Sequence, residues 1–130
     1  MIRRLLIGLV ALSATLACGG STSGSGGGGG GSSASSAQTV EFKETEYTLA
    51  PATLTLKAGR YTFHVQNVGQ FPHDLHVAAS ADGTEVGSST VITAGQSASF
   101  SVTLRPGAYT LWCGVDAHRS LGMQGTITVQ

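Results

Sequence analysis

From Gln38 onward, apolar and polar residues alternate in short runs that are separated by glycine, proline and asparagine. In RYTFHVQN, Tyr61, Phe63 and Val65 fall on one face and His64 falls on the other. The stretches SASFSVTL and TITV repeat the same period of two. This period over four to eight residues predicts half-buried antiparallel strands, and no segment has the 3.6-residue period of a helix.

The pattern predicts an all-β fold. The expected strands cover about 39–47, 52–57, 60–67, 73–80, 97–104, 107–113 and 125–130. Short strands that alternate with turns in one small domain favour a Greek-key β-sandwich of seven or eight strands. The segment 81–96, ADGTEVGSSTVITAGQ, leaves three alternatives open: an eighth, edge strand, a short helical turn, or a loop.

The start of the chain predicts export. Residues 1–17 combine a basic start, an apolar run and small residues, which is typical of a signal peptide and too short to span a membrane stably. Thr15–Cys18 resembles a bacterial lipobox, which would make Cys18 a lipidated mature N-terminus. The alternative is ordinary cleavage after Ala17. In both cases we expect the protein outside the cytoplasm, on the periplasmic or cell-surface side of a bacterial membrane.

Composition divides the rest of the chain into two parts. Residues 18–37 are almost wholly glycine, serine, threonine and alanine, which predicts a flexible tether, and residues 38–130 form one domain with a single core. The chain has 7 basic and 7 acidic residues, and removing Arg3 and Arg4 with the signal peptide leaves five against seven. A formal charge of minus two gives no basic face for nucleic acid.

Three side chains that bind soft metals lie together in WCGVDAHRSLGMQG. If Cys18 carries lipid, Cys113 has no partner for a disulfide, and a metal is a common reason to keep a thiol unpaired outside the cytoplasm. Cys113 offers a thiolate, His118 an imidazole and Met123 a thioether. Thiolate and thioether suit copper, whereas thioether is a poor ligand for zinc.

A second histidine would complete a trigonal site with a weak axial methionine, the arrangement of blue-copper centres. In GQFPHDLHV, His73 shares the face of Leu75 and Val77, whereas His76 shares the opposite face. We therefore predict His73 as the ligand and place His76 and His64 at the surface.

The predicted domain resembles the plastocyanin/azurin family of cupredoxins in YTLAPATLTLKAGRYTFHVQNVG, FPHD and PGAYTLWCGVDAHRSLGMQGTITV. The family's ligands match His73, Cys113, His118 and Met123, the last three with the spacing C-x4-H-x4-M. The resemblance implies a cupredoxin-like sandwich that holds one type 1 copper ion.

Two positions beside the implied ligands depart from parts of the family. Plastocyanin-like members usually carry asparagine after the first histidine, where this chain has Asp74, whose backbone NH remains available to the cysteine sulfur. The resemblance does not imply that an aspartate side chain makes the hydrogen bonds by which the family's asparagine holds the neighbouring loop. Val115 stands in a loop without proline and keeps its NH for a second bond to the sulfur, which would raise the reduction potential.

The resemblance implies a one-electron carrier between redox partner proteins. Together with the lipobox-like Thr15–Cys18 it predicts a membrane-tethered carrier, which we expect to be a monomer. His118 would reach solvent within a small apolar patch formed by Phe71, Val115, Ala117 and Leu121. The alternative is a module that stores or delivers copper without redox cycling. We expect no enzyme, because a second copper site would need further histidines and another domain.

Overall fold

The structure, a computed structural model, describes residues 36–130. The predicted signal peptide, the lipidation site at Cys18 and the tether as far as residue 35 lie outside the described residues. The strands of the described part are β1 (Gln38–Thr45), β2 (Thr48–Ala50), β3 (Thr53–Leu56), β4 (Gly59–Asn67), β5 (His76–Ala79), β6 (Glu85–Ser88), β7 (Ser97–Leu104), β8 (Gly107–Trp112) and β9 (Gln124–Val129). Within 36–130, we find no helix whose length and hydropathy would let it cross a bilayer.

The strands form two sheets, in the orders β2-β1-β4-β7 and β3-β9-β8-β5-β6. The prediction of an all-β sandwich is confirmed. The expectation that the strands are antiparallel is wrong for two pairs, because β1 pairs with β4 and β3 pairs with β9 in parallel. The chain passes from one sheet to the other between β2 and β3 and returns at β4, so that β4 enters the first sheet in the same direction as β1.

The core lies between the sheets and follows the alternation of the sequence. Tyr61, Phe63 and Val65 of β4 are 3%, 0% and 0% exposed. They face buried side chains from the other strands, chiefly Phe42, Leu75, Leu104, Leu111 and Ile127. Burial of one face of each strand is the main force that holds the sandwich together.

The strand bounds differ from the prediction by more than one residue in two places. The strand expected at 39–47 ends at Thr45, where a turn leads into β2. The strand expected at 73–80 begins at His76, because the preceding residues bond instead to the segment after β6, through an isolated bridge between His73 and Ile92 and through Leu75 and Ser89. Of the alternatives for 81–96, a strand forms at β6, at the edge of the second sheet.

Candidate metal centre

The segment 113–123 joins β8 to β9 and forms a closed loop at one end of the sandwich. The Cys113 amide donates to the Met123 carbonyl at 3.0 Å, and the Met123 amide donates to the His118 carbonyl at 3.1 Å. Gly122 has φ of 111°, a conformation that L side chains rarely adopt. These bonds hold the three candidate ligands of the loop together, and Met123 is 0% exposed.

His73 comes from a different part of the chain and is fixed by its backbone. Its amide donates to the Ile92 carbonyl at 3.1 Å, and the Ile92 amide donates back at 2.7 Å. The buried side-chain amide of Asn67 donates to the carbonyls of Phe71 and Ile92. This network places the His73 ring, which is 0% exposed, beneath the loop.

The three donor atoms converge. His73 Nδ1 lies 3.2 Å from His118 Nδ1 and 3.9 Å from Cys113 Sγ, and His118 Nδ1 lies 3.6 Å from the same sulfur. Within 36–130 these residues are a buried group whose donor atoms all lie within 4.8 Å of one another. Donor atoms so spaced can reach one ion at metal–ligand distances of about 2.0 to 2.3 Å, the range for imidazole and thiolate on zinc.

The donor chemistry fits copper. Two imidazoles and a thiolate form the trigonal set of a blue-copper centre, and a thioether is its usual weak axial ligand. Met123 is buried and bonded through its backbone to both Cys113 and His118, as such a ligand must be. Zinc would leave the thioether without a role.

The surroundings of the Cys113 sulfur have opposing effects on the pKa of its thiol. Burial raises the pKa of the thiol, whereas hydrogen bonds from the backbone amides of Asp74 and Val115 lower it. The Asp74 carboxylate also accepts a bond from the Gly114 amide at 2.5 Å, so the side-chain tether that the sequence did not imply is present with aspartate. These groups fix the backbone on both sides of the sulfur.

Two histidines lie outside the donor cluster. His64 Nδ1 is 2.5 Å from a Glu41 carboxylate oxygen on the outer face of the first sheet. His76 is only partly at the surface: Glu85 bonds one ring nitrogen at 2.9 Å, Asp74 bonds the other at 3.3 Å, and the ring stacks on Trp112. Burial lowers the pKa of His76, but the bonds from the two carboxylates outweigh it and raise the pKa.

The structure adds three residues near the site that the sequence analysis missed, all from the end of β1 and the turn after it. The Tyr47 ring packs edge-on against His118, with ring centroids 5.2 Å apart. A Glu46 carboxylate oxygen lies 4.0 Å from His73 Nε2. Glu44 is 0% exposed, and the alternation that places it on the inward face with Phe42 was the one available signal.

Family comparison identifies the domain type. Residues 8–129 match the family model of the cupredoxin-like domain. The chain is a cupredoxin. The family and the donor set of this cupredoxin together identify copper as its cofactor. A comparison with curated protein sequences found no match.

Solved structures share the fold of this cupredoxin. Dithionite-reduced auracyanin from Roseiflexus castenholzii has a TM-score of 0.67 at 18% identity, covering 72% of this chain and 98% of that one. Auracyanin A from Chloroflexus aurantiacus, described as a "blue" copper protein, has a TM-score of 0.63 at 18% identity, covering 71% and 98%. The multicopper oxidase mgLAC has a TM-score of 0.57 at 18% identity, covering 72% of this chain but only 38% of its own.

Proposed function

We propose that this cupredoxin is a type 1 copper protein that carries single electrons between redox partners, with His73, Cys113, His118 and Met123 as its copper ligands. The observation that carries the proposal is the convergence of two ring nitrogens and one sulfur, 3.2 to 3.9 Å apart, on buried residues, two of which bond through their backbones to the buried Met123. Auracyanin A, of the same fold, is described as a blue copper protein.

The protein's part in the reaction is to keep these donors in place. Copper, when bound, supplies a one-electron couple between Cu(II) and Cu(I). Cys113 follows β8 directly, Met123 precedes β9, and the backbone bonds between the two residues close the loop. A ligand set tied to a sheet rearranges little when charge changes, and small rearrangement favours fast electron transfer.

Partners dock, in this proposal, on the apolar patch above His118. Phe71 and Leu121 are each 54% exposed beside the ligand loop, and Val68 is 44% exposed. His118 itself is 7% exposed and is covered in part by Tyr47. An exposed apolar patch suits brief encounters with donor and acceptor proteins.

The proposal also includes the N-terminal calls of the sequence. Residues 1–17 act as a signal peptide, Cys18 receives the lipid, and the tether to residue 37 lets a monomeric domain, residues 38–130, reorient above the membrane on the periplasmic or cell-surface side. The support is the composition of these segments alone. Replacing Cys18 by serine should move the protein from the membrane fraction to the soluble one.

A second candidate is copper storage or delivery without redox cycling. Storage sites favour several exposed methionines and cysteines, whereas the donors found here are buried. An enzymatic role is disfavoured because a second copper site needs further histidines, and the two outside the donor cluster, His64 and His76, pair with carboxylates and form no second metal group within residues 36–130. We therefore expect no catalysis.

The test is visible absorption and paramagnetic resonance of the full chain after addition of one equivalent of Cu(II). We expect an intense thiolate-to-copper band with small copper hyperfine splitting, absent in Cys113→Ser and retained in the matched variant Cys18→Ser. Reversible one-electron cycling without copper loss should accompany it. The carrier proposal would be overturned in favour of storage if the protein bound Cu(I) but gave only a colourless complex with Cu(II).

A further inference from the structure

The two ring nitrogens of His73 have very different surroundings. Nδ1 faces the donor cluster, 3.2 Å from His118 Nδ1. Nε2 points away from the cluster, is buried, and has no hydrogen-bond partner among the described residues. A histidine that binds a metal through one nitrogen carries its proton on the other, and that N–H needs an acceptor.

Glu46 is the carboxylate nearest to this nitrogen in residues 36–130, with Oε1 4.0 Å from Nε2. The same oxygen accepts bonds from the amides of Gln70 and Phe71, at 2.5 and 3.0 Å. A Cβ at residue 69 would come within 2.5 Å of this oxygen, so Gly69 leaves the space that the carboxylate occupies. Two hydrogen bonds thus hold the Glu46 carboxylate against the segment that leads to His73.

The same hydrogen bonds favour the ionised form of Glu46. Glutamate has an ordinary pKa of about 4.3, and the amides of Gln70 and Phe71 both donate to its oxygen. The carboxylate is therefore ionised at neutral pH and can only accept hydrogen bonds. Asp74, another carboxylate near the site, is already bonded to Gly114 and His76.

We propose that Glu46 is a positioning residue for the copper centre: its carboxylate accepts the Nε2–H of His73, fixes the ring with Nδ1 toward the metal, and sets the reduction potential. The proposal rests on the function proposed above. At 4.0 Å the contact exceeds a direct hydrogen bond, and a shift of about 1 Å or one bridging water completes it.

The carboxylate has a defined effect on the metal. An anion that accepts the imidazole proton makes the ring a stronger donor, which stabilises the more highly charged Cu(II) over Cu(I). Glu46 therefore lowers the reduction potential. It also links the turn after β1 to a ligand 27 positions later, since Glu46 accepts bonds from the segment before His73 and, in this proposal, accepts the Nε2–H of the ring.

The test compares Glu46→Gln with Glu41→Gln in the copper-loaded full chain. Glutamine keeps an oxygen for the amides of Gln70 and Phe71 but loses the charge, and Glu41 pairs with His64 away from the site. We expect Glu46→Gln to raise the reduction potential and weaken Cu(II) binding by about tenfold or more, and Glu41→Gln to change neither. Equal potentials in the two variants would overturn the proposal.

A second measurement needs no substitution. In the diamagnetic Cu(I) form of the wild-type protein, magnetic resonance of the His73 ring should show a proton on Nε2, shifted downfield and slow to exchange with solvent. A proton on Nδ1, or an Nε2–H that exchanges freely, would overturn the role of Glu46. If the wild-type protein forms no blue-copper band, the proposed function fails; if it does and these results are negative, only the Glu46 proposal fails.

Discussion

Glu44 is a carboxylic acid buried inside the sandwich near the end of β1. It is 0% exposed, and neither carboxylate oxygen has a hydrogen-bond partner among residues 36–130. Burial, with a smaller contribution from the Asp74 charge, raises the pKa of Glu44 to about 8. A buried anion without a partner is costly, so the folded protein keeps this group protonated at neutral pH.

This residue should make the stability of the metal-free protein depend on pH. Between about pH 4.5 and 8, folded Glu44 holds a proton that the unfolded chain releases. The free energy of unfolding should therefore fall as pH rises, by up to about 1.4 kcal/mol per pH unit from this group. Glu44→Gln should remove that slope and be more stable than wild type near pH 7.5 but not near pH 4.5.

Urea unfolding of both proteins across this range checks the prediction. Other groups titrate in the same interval, so the quantity to use is the difference between wild type and variant. Glu41→Gln, which changes an exposed carboxylate, serves as the control. A difference between wild type and Glu44→Gln that does not vary with pH would show that Glu44 ionises normally.

At the scale of elements, β9 is the strand that connects the site to the sheet. It lies between β3 and β8 and begins one residue after Met123. Gly125 stands opposite Leu111 of β8, and the Thr126 amide donates to the Ala52 carbonyl at 2.8 Å. A Cβ at residue 125 would collide with the Ala52 carbonyl oxygen and come within 3.1 Å of its carbon. The close approach of β3 thus requires glycine.

Gly125→Ala should therefore destabilise the sandwich. The added methyl group meets backbone rather than a movable side chain, which costs about 1–3 kcal/mol. In a domain of this size, the melting temperature should fall by about 5 °C or more. Gly59→Ala is the matched control, because a Cβ there has its nearest neighbour at 3.8 Å. Equal melting temperatures for the two variants would contradict the packing described for β9.

For the whole molecule, the exposed apolar side chains at the site end are the basis of the proposed contact surface. Phe71, Val68 and Leu121 are exposed around the ligand loop and its neighbouring segment. Leu121 belongs to the ligand loop that contains His118, and Phe71 and Val68 belong to the segment before His73. Two copies that meet through this surface bring their copper sites close together, so electron self-exchange measures docking without an identified partner.

Leu121→Lys should slow self-exchange by about tenfold or more, because two like charges would meet in a desolvated contact. The absorption band should not change, since Leu121 is 54% exposed and is not a proposed ligand. Thr128→Lys adds the same charge at an exposed position near the other end of β9 and should leave the rate nearly unchanged. Equal effects of both substitutions would mean that net charge, not this surface, controls the encounter.

The all-β class follows from the alternation of apolar and polar residues, because a strand with one buried face must alternate, as β4 and β7 do. The sequence did not determine β2, whose 3 residues are too short to carry a pattern, or β6, whose sequence EVGS has a single large apolar residue. The parallel pairing of β1 with β4 was also missed. Pairing direction depends on the path of the chain between sheets, which local periodicity does not record.

At the candidate site, too, some residues could be predicted from the sequence and others only from the tertiary structure. Cys113, His118 and Met123 could be proposed from sequence because one short loop contains all three, and His73 was preferred to His76 by alternation although it precedes β5. Glu46 and Tyr47 had no such signal, and for Glu44 the alternation with Phe42 indicated burial but not proximity to the ligands. They lie far along the chain from the ligands, and only the folding of β1 against β4 brings them to the metal end. Ligand chemistry is local in sequence, whereas the groups that orient and tune it are selected by tertiary contact.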